Sequence, residues 1–111
     1  GTVHCSLIDW STFVSEQMKA YRQESTLLSA TQSQQLFEVQ LNDYAMGWSV
    51  VNRSWANGDA ITHSGSNAMN MSVAWAAPEL DIAFLAVANA ASDSIYMDLD
   101  ETVGLLLSID E

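Results

Sequence analysis

Positive charge, cysteine and proline are all scarce in this sequence of 111 residues. Three lysines and arginines stand against fourteen aspartates and glutamates, which gives a formal net charge of −11 at pH 7. Nucleic acid and anionic membrane surfaces are bound through clustered cations, so this deficit argues against both as partners. We expect the acidic exterior of a soluble protein.

The single cysteine, Cys5, excludes an internal disulfide and any metal site built from several cysteines. Three possible metal ligands lie close together in the sequence: His4, Cys5 and Asp9. We interpret them as a loop histidine, a small buried thiol and a helix-capping carboxylate. The sequence therefore predicts no metal and no cofactor, and one thiol leaves the cellular compartment open.

Long apolar runs are also missing, which argues against a membrane span of about 18–20 residues. The longest apolar stretch, residues 82–91, fits a buried strand instead. Because 49% of the residues are apolar, a chain of this length can bury the core of one domain. We expect residues 1–111 to belong to a single domain, as a fragment of it.

Helix signals occur at both ends of the chain. Residues 6–9 and 29–32 resemble capping boxes, which predicts helices from there to about Arg22 and about Phe37, within a helical region 1–45. Asp93 or Ser94 is predicted to cap a C-terminal helix over residues 92–109. Its predicted buried stripe consists of Ile95, Leu99, Val103 and Leu106.

The middle of the chain, residues 46–90, has the two-residue period of strands. Asn57-Gly58-Asp59 signals a hairpin with a return strand over about 60–63, and residues 78–81 form a second turn. Residues 82–88 are apolar on both faces, which favours a central, covered strand. The sum is an α+β fold: an antiparallel three-stranded meander with helices packed on it.

The tripeptide His63-Ser64-Gly65 closes the first hairpin, and two apolar strand segments follow it. A glycine in this position lets a ligand approach the strand closely. Hydroxyl and N–H groups around it suit an oxyanion or a carboxylate. On the tripeptide alone, an ordinary strand end is the simpler interpretation.

The wider pattern resembles a family. Gly47-Trp48, His63 to Asn67, Ala77 to Asp81 and Ala88-Asn89 look like the C-terminal part of the β-lactamase-related serine hydrolases. That family includes class C β-lactamases, penicillin-binding-protein-like peptidases and esterases. The segment Gly1 to His4 is similar to the stretch that precedes this part. The resemblance implies the C-terminal portion of the β-lactamase/transpeptidase-like fold.

In that family, Ser-x-x-Lys, Tyr-x-Asn and Lys/His-x-Gly motifs build the site, and the resemblance identifies His63-Ser64-Gly65 as the third. His63 then supplies polarity or positive charge, Ser64 contacts the substrate's acyl or carboxylate group, and the Ser66 N–H forms half of an oxyanion hole. Asn67 stands where the family often has glycine. The implied site wall is His63, Ser64, Gly65 and Ser66, with Asn67 and Asn89 at a possible rim.

The other two motifs are missing from these residues. The only lysine, Lys19, has Glu16 three positions before it, and no tyrosine is followed two residues later by asparagine. We therefore expect the nucleophile and its base upstream of Gly1, and no turnover by this segment alone. The implied parent hydrolyses a lactam, ester or peptide through an acyl-enzyme, and members of the family are often periplasmic or secreted but also cytoplasmic.

Two other interpretations stay open: a non-catalytic binding or interaction module that retains part of the fold, and an unrelated acidic α+β domain with a chance motif. In the family, the last strand pairs with a strand of the N-terminal part. The strand 82–88 is then expected to expose one edge, which seeks a partner. We expect a homodimer, a strand-swapped assembly, or pairing with the missing N-terminal part.

Overall fold

The computed structural model describes residues 2–110, which form three helices and a four-stranded antiparallel sheet. The sheet order is β1-β2-β3-β4. In chain order the elements are α1 (Leu7–Tyr21), α2 (Ala30–Phe37), β1 (Ser49–Arg53), β2 (Gly58–Ser66), β3 (Met71–Ala77), β4 (Ile82–Ala88) and α3 (Asp93–Asp110). The predicted α+β class is confirmed. The predicted count of three strands is wrong, because Ser49–Arg53 pairs over its whole length with β2.

Serine side chains begin the helices. The Ser6 hydroxyl accepts a hydrogen bond from the Asp9 amide at α1. At α2, Ser29 and Gln32 cap each other's backbone amides, as the sequence predicts. For α3 the predicted cap at Asp93 or Ser94 is wrong, since the Ser92 hydroxyl accepts from the Ile95 amide and thereby serves an N-terminal N–H of the helix.

Both hairpin turns use a short 3₁₀ turn followed by a residue in the left-handed region. Asn57 (φ 55°) follows Ser54–Ala56, and Asp81 (φ 56°) follows Pro78–Leu80. Asparagine and aspartate adopt this conformation more readily than most residues. β2 begins directly after the first turn and continues to Ser66, so it is longer at both ends than the predicted 60–63. His63-Ser64-Gly65 therefore lies inside a strand.

The sheet is covered by helices on both faces. α1 packs on one face, where the buried residues are Val14, Met18, Trp48, Ile61, Ala74 and Ala76. α3 packs on the other, with Val73, Ala86 and Val103 at the centre of the contact. Leu107 of α3 contacts this core, whereas the predicted Leu106 is 39% exposed. The side of α3 that faces the core therefore continues in steps of four residues, from Leu99 through Val103 to Leu107.

β4 contacts both α1 and α3, which explains why its side chains are apolar on both faces. The prediction of a central strand is nevertheless wrong, because β4 pairs only with β3 and ends the sheet order. Apolar side chains on both faces indicate that a helix covers each face of the strand. They do not indicate how many strands it pairs with.

One side chain differs from the predicted exposure. Cys5, predicted to be a buried thiol, is exposed, because it lies in the segment before α1. Trp55, beside the first hairpin turn, is half-buried and packs edge-on against Trp75 and Phe84, with ring centroids 6.2 and 6.3 Å away. Within residues 2–110, no helix combines the length and apolar character needed to cross a membrane.

Candidate functional site

The candidate site is built where β2 continues beyond the end of its neighbour. The first residue of β1, Ser49, pairs with Thr62. From His63 to Ser66, β2 pairs with β3 on one side only. Beyond Thr62, the opposite edge of β2 therefore borders an open space.

The hydrogen-bond pattern shows which backbone groups border this space. The Val50 amide donates to the Asp43 carbonyl (2.7 Å), away from β2. Along a strand, the N–H and C=O groups of successive residues point to alternate sides. Those of Ser49 therefore point towards β2, and those of its partner Thr62 point towards β1. By the same alternation, Ser64 and Ser66 direct their N–H and C=O groups past the end of β1. The Ser66 N–H is among them, and it is the group that the family resemblance implies as half of an oxyanion hole.

His63 has a partner from a distant part of the chain. Its Nε2 lies 3.1 Å from the Tyr44 hydroxyl oxygen, and the centroids of the two rings are 5.9 Å apart. A tight turn holds Tyr44: its amide donates to the Leu41 carbonyl (2.9 Å), and the intervening Asn42 and Asp43 both have positive φ. Sequence reasoning missed Tyr44 because it belongs to no motif and is separated from His63 by 19 positions.

A cleft of about 480 Å³ opens beside this pair. Helices α1 and α2, the loops before β1, and strands β2 and β3 form its walls. Its lining residues are Trp10, Phe13, Gln17, Leu28, Leu36, Met46, Gly47, Trp48, His63, Ser64, Gly65, Ser72 and Ala74. Trp48 is buried and donates from Nε1 to the Gln17 Oε1 (3.1 Å), which fixes the inner wall.

Gly65 forms part of the floor. A β-carbon there would lie 3.2 Å from the Ser72 Oγ, closer than ordinary packing allows. Side chains alternate along the strand, so His63 and Gly65 share the α1 face, and Ser64 reaches the cleft at the strand edge. The structure thus brings His63, Ser64 and Gly65 to one cleft.

A second hollow of about 700 Å³ adjoins the first, with Trp10, Gly65 and Ser72 common to both. The other predicted site residues, Ser66, Asn67 and Asn89, line this hollow. Asn67 also holds the loop after β2, since its Oδ1 accepts from the amides of Met69 (3.1 Å) and Asn70 (2.8 Å). The predicted wall and the predicted rim therefore lie in two connected hollows.

No lysine or arginine lines either hollow. Arg22 pairs with Glu24 (3.0 Å) and Asp81 (3.1 Å), and Arg53 lies 5.6 Å from the Trp75 ring centroid. Both arginines are at the hairpin-turn end of the sheet, opposite the cleft, and Lys19 is exposed in the last turn of α1. In residues 2–110, no group of three or more His, Cys, Asp or Glu side chains is placed to hold a metal ion.

Comparisons with protein-family models, with curated proteins and with solved structures gave no match. The cleft itself presents the His63 imidazole next to outward-facing backbone amides and apolar walls, and Tyr44 holds that imidazole by a hydrogen bond from outside the lining. Such an arrangement can bind a carbonyl compound and polarise its oxygen. Within the described residues the hydrogen-bond partner of His63 is a tyrosine, so no serine is activated by it.

Proposed function

We propose that this chain is the C-terminal part of a serine hydrolase of the β-lactamase-related type, acting on a lactam, ester or peptide through an acyl-enzyme. The observation that carries the proposal is the free extension of β2 past β1. It places His63 in the cleft and directs the Ser64 and Ser66 amides past the strand end. Fixed amide donors of this kind stabilise the oxygen of a tetrahedral intermediate.

In this proposal, a serine from outside these residues attacks the substrate carbonyl, and the developing oxyanion accepts a hydrogen bond from the Ser66 N–H. His63, whose ring is held by the Tyr44 hydroxyl, lies beside the reacting group and supplies a polar wall. The bond to the leaving group breaks, and water then releases the acyl group from the serine. The lysine of Ser-x-x-Lys and the tyrosine of Tyr-x-Asn, the acid/base group that takes the serine proton and passes it to the leaving group, also come from outside these residues.

The proposal includes a partner for the edge of β4. Alternation along β3 and β4 directs the N–H and C=O groups of Ala83, Leu85 and Val87 away from β3. Helix α3, which packs against β4, also exposes the apolar side chains of Leu105, Leu106 and Ile109. An edge of this kind pairs with another strand, from the N-terminal part of the parent or from a second copy.

The test begins with the coding sequence upstream of codon 1, where we expect Ser-x-x-Lys followed by Tyr-x-Asn. The product of the longer reading frame is then treated with a serine-directed fluorophosphonate. We expect labelling of the serine in Ser-x-x-Lys and a fall of about 10²-fold in the acylation rate for His63→Ala. Tyr96→Ala, which truncates an exposed aromatic side chain of α3 that lines neither hollow, is the control and keeps the rate.

An upstream sequence without these motifs, or a longer product that no acylating probe labels, contradicts the hydrolase proposal. Binding of acyl compounds at the cleft without any labelling would instead favour the non-catalytic binding module. A His63→Ala variant that is acylated as fast as the unmodified protein would remove His63 from the site.

A further inference from the structure

We propose that the cleft beside His63 takes an uncharged ester with an apolar acyl group, and that it discriminates against carboxylate-bearing lactams and peptides. The inference rests on the proposed function, since it names the substrate class of the same site. Two independent features of the cleft carry it: the chemistry of its walls and the position of the chain's positive charge.

The walls present apolar surface that is free to contact a ligand. Phe13 is 54% exposed and Met46 is 64% exposed, yet both line the cleft. Trp10, Leu28 and Leu36 complete this apolar part. Concave apolar surface with a few convergent polar groups is typical of a small-molecule site. The apolar part suits a hydrocarbon or aromatic acyl group, and the polar part at His63 suits the carbonyl.

The charge distribution opposes an anionic substrate. Lys19, Arg22 and Arg53 are all the lysines and arginines of the chain, and none lines either hollow. Both arginines are engaged at the far end of the sheet. A carboxylate entering the cleft would give up hydration without gaining an ion pair to a lysine or arginine. The net charge of −11 adds long-range repulsion.

The adjoining hollow suits the alcohol side of an ester. Uncharged polar side chains line it, including Ser66, Asn67 and Asn89. Gly65 lies where the two hollows meet and carries no side chain between them. A substrate with its carbonyl beside β2 can therefore place an apolar acyl group in one hollow and a neutral polar group in the other.

The test uses the 111-residue chain and two matched probes, methyl phenylacetate and phenylacetate, at about pH 8, where the acid is fully ionised. Trp10 and Trp48 line the cleft, so their fluorescence reports binding, and backbone NMR shifts locate it. We expect the ester to bind at least about tenfold more tightly than the carboxylate, with shifts at Ser64 to Ser66. Equal or tighter binding of the carboxylate, no binding of the ester, or shifts elsewhere would overturn the inference.

Two variants and a control sharpen the result. Phe13→Ala should weaken ester binding by about fivefold, since it removes apolar wall without touching the core. Met46→Lys places a cation at the cleft and should improve carboxylate binding by about fivefold. Leu27→Lys makes the same charge change on a side chain that is 77% exposed and lines neither hollow, so it should leave the ester-to-carboxylate ratio unchanged. A ratio that moves equally in both lysine variants would trace the preference to net charge and overturn the cleft assignment.

This outcome is separable from that of the proposed function. If the longer reading frame lacks the serine motif but the ester preference holds, the hydrolase fails and the ligand class stands. If the longer product is acylated but the cleft binds carboxylates as well as esters, the hydrolase stands and the ligand class fails.

Discussion

At the scale of single residues, two tyrosine hydroxyls join segments that are far apart in the chain. Tyr44 contacts His63 at the cleft, and Tyr21 at the end of α1 donates to the Asp59 Oδ2 (2.9 Å) at the start of β2. Burial, the hydrogen bond to Asp59 and nearby negative charge, including that of Glu79, raise the pKa of Tyr21 to about 12 from its ordinary value of 10.0. The neutral phenol is the form that the fold favours.

We expect this raised pKa to make the free energy of unfolding fall with pH in the alkaline range. The unfolded chain loses the Tyr21 proton near pH 10, whereas the folded chain keeps it to about pH 12. The stabilisation is complete below pH 10 and is lost as the pH rises towards 12, because the folded state then binds more protons than the unfolded state. The loss should be about 1 kcal/mol, after allowance for the partial exposure of the phenol.

Urea unfolding at about pH 8 and about pH 11 measures this loss, with Tyr21→Phe as the test variant. That variant should lose part of the alkaline pH dependence. Tyr96→Phe, which changes an exposed tyrosine of α3, should keep it in full. Identical alkaline slopes in the unmodified chain and Tyr21→Phe would contradict the assignment.

Local spacing predicts part of the cleft but not all of it. His63, Ser64 and Gly65 could be found from sequence because a strand pattern and a glycine identify them. Tyr44 could not, because its contact with His63 depends on a turn with two left-handed residues, Asn42 and Asp43. The apolar walls also escaped prediction, since α1, α2 and the loop at Met46 meet there only after folding.

At the scale of helices and strands, the sequence predicts where helices begin better than it predicts which strands pair. Ser6 and Ser29 mark helix starts because capping acts within four residues. The prediction that β4 is a central strand is wrong because an apolar strand pattern indicates only that both faces of the strand are covered. Whether a strand has a free edge depends on which other strands lie beside it in the folded sheet, and the residues of the strand itself do not encode this.

The open edge gives a prediction about association. Val87 lies on β4, directs its amide away from β3 and has a side chain that is 51% exposed. If two copies pair through this edge, Val87→Lys should weaken the dimer by about tenfold, because a charged side chain on an edge strand opposes strand addition. Sedimentation equilibrium over a range of concentrations measures the association constant.

Leu41→Lys is the control for that experiment, since Leu41 is 71% exposed and lies outside the four strands. It carries the same change of charge and should leave the association constant as it is. An unmodified chain that stays monomeric at high concentration would count against pairing between copies. Equal weakening by both variants would contradict a role specific to the β4 edge.

At the scale of the whole molecule, the charge of −11 is carried by a body of 38 × 35 × 29 Å. The screening length in salt is about 30 Å at 0.01 M and about 10 Å at 0.1 M. At the lower concentration, most acidic side chains therefore repel one another across the molecule. Unfolding separates these charges, so self-repulsion lowers the stability of the folded state.

We expect the melting temperature to rise by about 3–6 °C between 0.01 M and 0.1 M NaCl, which corresponds to about 1 kcal/mol for a domain of this size. Circular dichroism at the two salt concentrations measures the shift. A variant with Asp98→Asn and Glu101→Gln, two exposed residues of α3, should melt higher at low salt and gain less from added NaCl. If salt stabilises the protein by screening its charges, the variant with fewer charges should gain less in melting temperature. An equal rise in both proteins, or no rise in either, would contradict the claim that charge self-repulsion lowers the stability of the fold.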